Sequence, residues 1–255
     1  MPNASIDFYI AAFVARCNAM RDATCQMVHE PGVHGLVSFS DHAPTQLLVT
    51  DDHADEVLAA LMPILRPGTI RVFAAAPRCT RTVASDRRWK AKPVTAMIRR
   101  DLLTLPEDPL PSGLMLRPVR RVADDPIDGV PLEDAVAAVR LANPSDDDAP
   151  DVLAEHLRSW PAATRLFAAV DVDGVVRATS GSGTFGSEAT VFFVNTHPGW
   201  RRRGIGRAMT AAALHSAQKA GSSRACLDAS DDAIPLYQRL GFENVAPATQ
   251  FFHAS

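Results

Sequence analysis

The sequence predicts an α/β protein built from two parts. Runs of β-branched and aromatic residues alternate with longer helix-like runs along the 255 residues, and a proline-rich break interrupts them. Hydrophobic residues make up 47% of the chain and the formal net charge is -3, values typical of a globular protein with a sizeable core. We predict an N-terminal α/β unit at 1–105, a linker at 106–113 and a second domain at 114–255.

Hydrophobic periodicity assigns alternating elements to the N-terminal part. We predict helices at 6–28 and 53–65 and strands at 35–39, 45–49, 69–75 and 94–98. The linker contains Pro106, Pro109 and Pro111 and ends at Gly113, residues that interrupt both helices and strands.

In the second part the periodicity predicts strands before and after two helices, then a strand that leads into an alanine-rich helix. The strands are predicted at 114–119, 165–172, 175–182 and 189–194, and the helices at 132–141, 150–160 and 208–220.

The composition argues against several classes of protein. Lys and Arg (26) do not exceed Asp and Glu (29), so no extended nucleic-acid-binding surface is expected. The apolar run 9–14 is too short to span a bilayer and no basic leader precedes it, so we expect a cytoplasmic protein without membrane contact. The four cysteines of the chain show no Cys-x-x-Cys spacing, so we expect reduced thiols and no metal site.

The turn after strand 189–194 carries the strongest functional signal. It reads His-Pro-Gly-Trp-Arg-Arg-Arg-Gly-Ile-Gly-Arg at 197–207. Gly204 and Gly206 let the main chain approach a ligand, and N–H groups that open a helix lack intrahelical acceptors and carry its positive dipole end. The turn is therefore predicted to bind a phosphate or pyrophosphate.

Spacing alone leaves alternatives for this turn. A merely solvated basic run would leave both glycines unexplained. A Rossmann-type dinucleotide turn keeps some support from Asp228, which follows at the ribose-binding spacing. However, Met209 occupies the place of a third small residue, and several residues separate Thr196 from Gly204. A P-loop is excluded because no Gly-Lys-Ser or Gly-Lys-Thr follows.

Two motifs in order favour coenzyme A. The segment 194–206 resembles the acetyl-CoA-binding motif of the GCN5-related N-acetyltransferases (GNATs), Arg or Gln followed by x-x-Gly-x-Gly/Ala, with Arg201, Gly204 and Gly206 in its defined positions. Downstream, 233–242 reads Ala-Ile-Pro-Leu-Tyr-Gln-Arg-Leu-Gly-Phe and resembles a later helix of that family. The resemblance covers the chain from about 114 onward, and its specific motifs lie in the second half of that segment.

The resemblance implies a mixed, mostly antiparallel sheet flanked by helices and opened between its fourth and fifth strands, where acetyl-CoA would lie as cosubstrate. Main chain at 194–196 would pair with the pantetheine arm, and an N–H near Val194 would face the thioester oxygen. Ser230 replaces an asparagine often found in the family and is expected to cap the next helix. The predicted cofactor-binding residues are Val194, Asn195, Thr196, Arg201, Arg202, Arg203, Gly204, Ile205, Gly206, Arg207 and Ser230.

For catalysis, the resemblance places the Tyr237 hydroxyl near the coenzyme sulfur, as the acid that protonates the departing thiolate. A packed aromatic is the alternative. Some relatives hold a glutamate base within the strand, but Val191 occupies that position here. Glu188 is the nearest carboxylate and our candidate base, with His197, Asp228 or a water chain as alternatives.

The acceptor is expected to be a primary amine on a small molecule or peptide. Acidic residues of this chain line the segment that, by the resemblance, borders the acceptor groove, and a cationic amine would suit that surface, although solvated loops explain the same acids. They are Asp124, Asp125, Asp128, Glu133, Asp134, Asp146, Asp147, Asp148, Asp151 and Glu155.

The N-terminal part carries neither motif. Its element order is similar to that of the second part, so a degenerate copy of the same fold is a hypothesis, although no residue-level repeat is found. It is expected either to wall the acceptor groove or to form a homodimer. The main function hypothesis is direct acetyl transfer in a ternary complex, and the rival is a non-catalytic acyl-CoA-binding sensor.

Overall fold

The computed structural model describes residues 4–39, 44–121, 128–142, 154, 157–158 and 160–253. The helices in these ranges are α1 Ala4–Met20, α2 Asp55–Leu61, α3 Pro77–Ala84, α4 Leu132–Ala142, α5 Ile205–Lys219 and α6 Ile234–Arg239. The strands are β1 Cys25–Glu30, β2 Val33–Ser38, β3 Thr45–Val49, β4 Gly68–Phe73, β5 Trp89–Arg99, β6 Leu114–Arg120, β7 Val130–Pro131, β8 Thr164–Asp171, β9 Val176–Phe185, β10 Glu188–Thr196, β11 Arg224–Ala229 and β12 Glu243–His253.

The chain divides into two compact units, and neither is contiguous in sequence. The first comprises Met1–Ile98, Asp228–Ile234 and Glu243–Ser255, and the second comprises Arg99–Leu227 and Pro235–Phe242. The predicted contiguous split into 1–105 and 114–255 differs from this division, since β12 pairs along its length with β5 and through residues 248–252 with β4. The functional assignment of each part stays a prediction.

The sheet of the first unit has the strand order β1-β2-β3-β4-β12-β5. Only β3 and β4 run parallel among these neighbours. Apolar residues of β2, β3, β4 and β12 pack with α2 and α3 into one core, which includes Leu47, Leu58, Ile70 and Phe251, each at most 1% exposed. This unit therefore has a hydrophobic core of its own.

The sheet of the second unit has the strand order β11-β10-β9-β8-β6-β7. Its β6, β8, β9 and β10 are antiparallel, whereas β11 lies parallel to β10. Ala168 packs into the core that contains α4, and its neighbour Ala169 packs into the core that contains Ile205 and Met209 of α5. Because successive strand residues point to opposite faces, helices cover both faces of the sheet. This confirms the mixed, mostly antiparallel fold flanked by helices.

The first predicted helix is wrong at its end. The periodic pattern suggested 6–28, but α1 ends at Met20 and the following residues form β1. Asp22 accepts hydrogen bonds from the N–H and hydroxyl of Thr24, both at 2.7 Å, a local turn that competes with the helix. Similarly, the predicted helix 53–65 is shortened to α2, followed by a 3-10 turn at Met62–Ile64 that contains Pro63.

Besides β1, two elements of the first unit have no counterpart in the predictions. Helix α3 is capped by a residue far away in sequence, since the Asp52 carboxylate accepts the N–H groups of Arg78 and Cys79 at 2.8 and 3.1 Å. Strand β12 contains Pro247, which argues against a central strand. That proline is tolerated because β12 pairs with β4 only from Ala248 onward.

Candidate active site

A β-bulge in β10 marks the centre of the candidate site. The pairing of β10 with β9 passes from Phe192 opposite Gly181 to Asn195 opposite Thr179, so Phe193 and Val194 lie against a single residue. Phe193 has a φ of 59°, which non-glycine residues rarely adopt, and its carbonyl accepts the Thr179 hydroxyl at 2.8 Å. A bulge of this kind redirects the main-chain groups of the strand.

The sheet opens at the same place. The register between β10 and β11 covers only Glu188–Thr190, paired with 224–226, while β10 continues to Thr196. The segment predicted to face the cofactor, Val194 to Thr196, lies in this continuation and is half-buried. Strand main chain that leaves its neighbour offers N–H and C=O groups to an extended ligand.

The turn between β10 and α5 has the backbone of an anion-binding loop. Arg202 and Gly204 both adopt left-handed conformations, with φ of 64° and 80°. Gly204 is the N-cap of α5, so Ile205, Gly206 and Arg207 form the first helical turn. Left-handed residues before a helix turn successive N–H groups toward a common point, where the helix dipole adds positive potential.

The arginine side chains of this turn have partners within the protein. Arg201 donates from Nε to the Thr196 carbonyl at 3.1 Å and from Nη2 to the Ala142 carbonyl at 2.7 Å. Arg207 forms an ion pair with Asp108 at 2.6 Å. The two side chains therefore brace the turn against β10, α4 and the linker, which the sequence did not indicate.

A stacked tryptophan supports the turn from the sheet side. The guanidinium carbons of Arg177 and Arg203 lie 5.2 and 4.9 Å from the centre of the Trp200 ring. Arg177 donates in turn from Nε to the Asp171 carboxylate at 2.6 Å. Cation–π contacts of this kind fix an aromatic ring in place. Sequence reasoning missed this support, because Arg177 lies outside the motif that contains Trp200 and Arg203.

Helix α6 approaches the start of α5. A Cβ on Gly206 would lie 3.1 Å from Cδ1 of Leu236 and 3.6 Å from the Thr196 hydroxyl, so a larger residue here would have to displace the Leu236 side chain slightly. Tyr237, the next residue along α6, is 7% exposed. Its ring meets that of Phe242 edge to face, with centroids 5.9 Å apart. The two motifs of the sequence are thus adjacent in the second unit.

Glu188 lies at the first residue of β10 and is buried. Its carboxylate pairs with the Arg224 guanidinium of β11, and Oε1 also accepts the Ser187 hydroxyl at 3.3 Å. The assignment of Glu188 as general base stays a prediction, and any proton it accepts must weaken this ion pair.

The remaining predicted residues have local roles in the structure. The Ser230 hydroxyl donates to the Asp232 carboxylate at 2.6 Å, and the Ser230 carbonyl accepts the N–H of Ile234 at 3.2 Å. His197 accepts the Gly199 N–H on Nδ1 at 3.2 Å. Asp228, an alternative base, is paired in the first unit with Arg71 and with the Tyr9 hydroxyl.

The acidic segment is only partly described. Asp124, Asp125, Asp146, Asp147, Asp148, Asp151 and Glu155 lie outside the described residues. Among those described, Asp128 lies 3.8 Å from Arg117, and Glu133 pairs with Arg158. Exposed ion pairs of this kind contribute little to stability.

Within the described ranges, no helix combines the length and apolar character needed to cross a membrane. The same ranges contain no cluster of three or more His, Cys, Asp or Glu side chains with metal-binding geometry.

Comparison with known proteins extends the resemblance. A family model described as an acetyltransferase (GNAT) domain matches residues 162–244. A mycothiol acetyltransferase of Salinispora tropica is 30% identical over 173 residues, which cover 63% of this chain and 55% of that protein. The chain thus spans little more than half the length of this relative.

Solved structures share the fold over nearly the whole chain. A GCN5-related N-acetyltransferase from Kribbella flavida superposes with a TM-score of 0.60 at 22% identity, covering 96% of each chain. A tandem GNAT protein from the clavulanic acid biosynthesis pathway gives a TM-score of 0.54 at 16% identity, covering 98% of this chain and 95% of that one. At these identities the likeness concerns the fold.

Proposed function

We propose that this chain, whose residues 162–244 match an acetyltransferase (GNAT) domain model, transfers an acetyl group from acetyl-CoA to a primary amine. One observation carries the proposal: the bulge at Phe193 and the left-handed turn at Arg202 and Gly204 lie on one continuous stretch of main chain. The first suits a thioester arm and the second a pyrophosphate.

The cosubstrate is held mainly by main chain in this proposal. N–H groups of the turn and of the first turn of α5 bind the pyrophosphate, and the half-buried 194–196 segment pairs with the pantetheine arm. Arg202 and Arg203 add charge at the mouth of the turn, whereas Arg201 and Arg207 hold its shape through their own partners. These residues therefore suit acetyl-CoA, the cosubstrate of the family.

The reaction is a direct attack in a ternary complex. The amine nitrogen, once deprotonated, forms a bond to the carbonyl carbon, and the carbon–sulfur bond then breaks as the nitrogen releases its second proton to solvent. The N–H of Val194 stabilises negative charge on the carbonyl oxygen, and the Tyr237 hydroxyl protonates the leaving thiolate. Glu188 is the proposed base for the ammonium, acting through water from the start of β10.

The acceptor is proposed to be a small-molecule or peptide amine. The relative named mycothiol acetyltransferase favours amine-bearing low-molecular-weight thiols as the first compounds to test. The proposed compartment is the cytoplasm. Its support comes from the four cysteines, which form no disulfide with one another.

The test is an acceptor panel with acetyl-CoA, read by mass spectrometry of the acetylated product. Polyamines, aminoglycosides, amino acids, peptide N-termini and amine-bearing thiols belong in it. Product from at least one class is expected. Tight binding of acetyl-CoA without product from any acceptor would instead favour the sensor. Coenzyme A at millimolar concentration should raise the melting temperature and NAD should not; the reverse result would overturn the proposal.

The acid role is tested by Tyr237→Phe. We expect kcat to fall by roughly 100-fold with little change in the KM for acetyl-CoA, because a positioned acid contributes about that much. Tyr9→Phe is the matched control, since Tyr9 is the only other tyrosine and lies in the first unit. Equal kcat values for Tyr237→Phe and the unmodified enzyme would contradict the acid role.

A further inference from the structure

Arg99, the last residue of β5, is a buried arginine surrounded by main-chain oxygens. It is 8% exposed. Its guanidinium donates to the carbonyls of Asp101 at 2.7 Å and Thr104 at 2.5 Å, and also to that of Leu240. Burial lowers the pKa of Arg99, an effect that Asp101 opposes, but an arginine stays charged at neutral pH. A buried cation held by carbonyls depends on each of these hydrogen bonds.

The Leu240 carbonyl belongs to the C-terminal end of α6. There the Phe242 N–H donates to the Tyr237 carbonyl at 3.0 Å and the Gly241 N–H to the Gln238 carbonyl at 2.9 Å. This is the Schellman arrangement, and the ring contact between Tyr237 and Phe242 is its usual apolar pair. The Leu-Gly-Phe motif therefore fixes the backbone of Tyr237 itself.

Gly241 leaves room for the arginine. Its φ is 78°, as this helix end requires, and a Cβ there would lie 2.6 Å from Nη1 of Arg99. A cation at a helix C-terminus is also favoured by the helix dipole. Arg99 thus binds the last turn of α6 where the glycine exposes it.

We propose that Arg99 is a positioning residue for Tyr237: it holds the C-terminal end of α6 and so keeps the Tyr237 hydroxyl aligned for proton transfer. The inference rests on the acid role proposed above for Tyr237. Arg99 itself touches no substrate atom. It acts on the rate of the chemical step through the backbone of α6.

A double-mutant cycle tests this. Arg99→Met removes the charge and keeps most of the volume, and Arg100→Met, at the exposed next residue, is its control. We expect Arg99→Met to lower kcat about 10-fold in the parent enzyme and less than about 2-fold in a Tyr237→Phe background, because coupled residues are non-additive. Equal losses in the two backgrounds would overturn the inference, as would the same loss from Arg100→Met.

Hydrogen exchange separates this inference from the acid role. In Arg99→Met the amides of Leu240, Gly241 and Phe242 should exchange faster while those in the middle of α5 keep their protection. If Tyr237→Phe leaves kcat unchanged, the acid role fails regardless of the exchange result. If Tyr237→Phe lowers kcat but Arg99→Met alters neither exchange nor kcat, the positioning role alone fails.

One milder variant serves if Arg99→Met does not fold. Arg99→Lys keeps the charge but loses the planar fork. It should enter the cycle with the same sign as Arg99→Met and with a smaller loss of kcat. Additivity of Arg99→Lys with Tyr237→Phe contradicts the proposal.

Discussion

The conformation of single residues decides whether the turn can hold an anion. Gly204 has a φ of 80°, and no neighbouring atom lies within 4 Å of the position that a Cβ would take, so only backbone strain opposes a side chain there. Arg202 tolerates its own left-handed φ of 64° in the same turn. A substitution at position 204 that changes this backbone conformation turns the first N–H groups of α5 away from the ligand.

Gly204→Ala should therefore weaken coenzyme A binding. A left-handed alanine costs about 1–2 kcal/mol, so we expect the Kd for coenzyme A to rise roughly 5- to 30-fold by calorimetry. Gly113→Ala is a close control, because Gly113 has a φ of 83°, equally open surroundings and a place outside the site. Similar Kd increases for the two variants would contradict this role of Gly204.

Much of the candidate site could be predicted from residue types, but the side-chain partners could not. The glycines of the turn follow from their spacing, and Gly204 indeed adopts a conformation that favours glycine. In contrast, the sequence placed Arg201 in the motif and Arg207 beside it without indicating what their side chains contact. Their partners, Ala142 and Asp108, lie far away along the chain and become neighbours only through folding. Local patterns carry no information on such contacts.

At the scale of elements, the hairpin between β8 and β9 is tied by one carboxylate. Asp171 accepts the N–H groups of Asp173 and Val175 at 3.0 and 2.9 Å and pairs with Arg177, which stacks on Trp200. The Val175 hydrogen bond is the largest influence that lowers the pKa of Asp171 from its ordinary 3.8. The charged form is thus the stabilising one in the folded protein.

Asp171→Asn should lower the melting temperature in a pH-dependent way. Because the folded pKa of Asp171 is depressed, its stabilisation is complete above the unfolded value near 3.8 and is lost as the pH falls through the lower folded value. The difference in melting temperature between Asp171→Asn and the parent should therefore be largest near neutral pH and shrink below pH 3.8. Asp173→Asn, two residues on, is the control. A difference in melting temperature between Asp171→Asn and the parent that stays constant with pH would show that the charge of Asp171 does not cause the stabilisation.

Apart from the end of α1, elements defined by their own periodicity were predicted well, and those defined by distant partners were not. Strand β3 matches its prediction at both ends, and α4 differs by a single residue. Helix α3 depends on the Asp52 carboxylate that caps it. Strand β12 can contain Pro247 because its pairing with β4 begins only at Ala248. Neither condition can be read from the residues of the element itself.

At the scale of the whole molecule, the C-terminal strand belongs to the first unit. Strand β12 lies between β4 and β5, and its Phe251 is 1% exposed in the core that also contains Trp89. The sequence motifs end at Phe242, which is why the sequence alone favoured a contiguous second domain. A core completed by the last strand of the chain forms only after the intervening domain has been synthesised.

Phe251→Ala should consequently destabilise the first unit strongly. Removing a buried phenylalanine costs about 3–5 kcal/mol in the free energy of unfolding. Phe252→Ala is the matched control, because Phe252 points to the opposite face of β12 and is only half-buried, so a clearly smaller loss is expected. The measurement is urea unfolding followed by tryptophan fluorescence, in a background in which Trp160 and Trp200 are replaced by phenylalanine. The remaining Trp89 reports on the first unit, since it lies in the same core as Phe251. If Phe251→Ala and Phe252→Ala lose equal stability, β12 does not complete the core of the first unit.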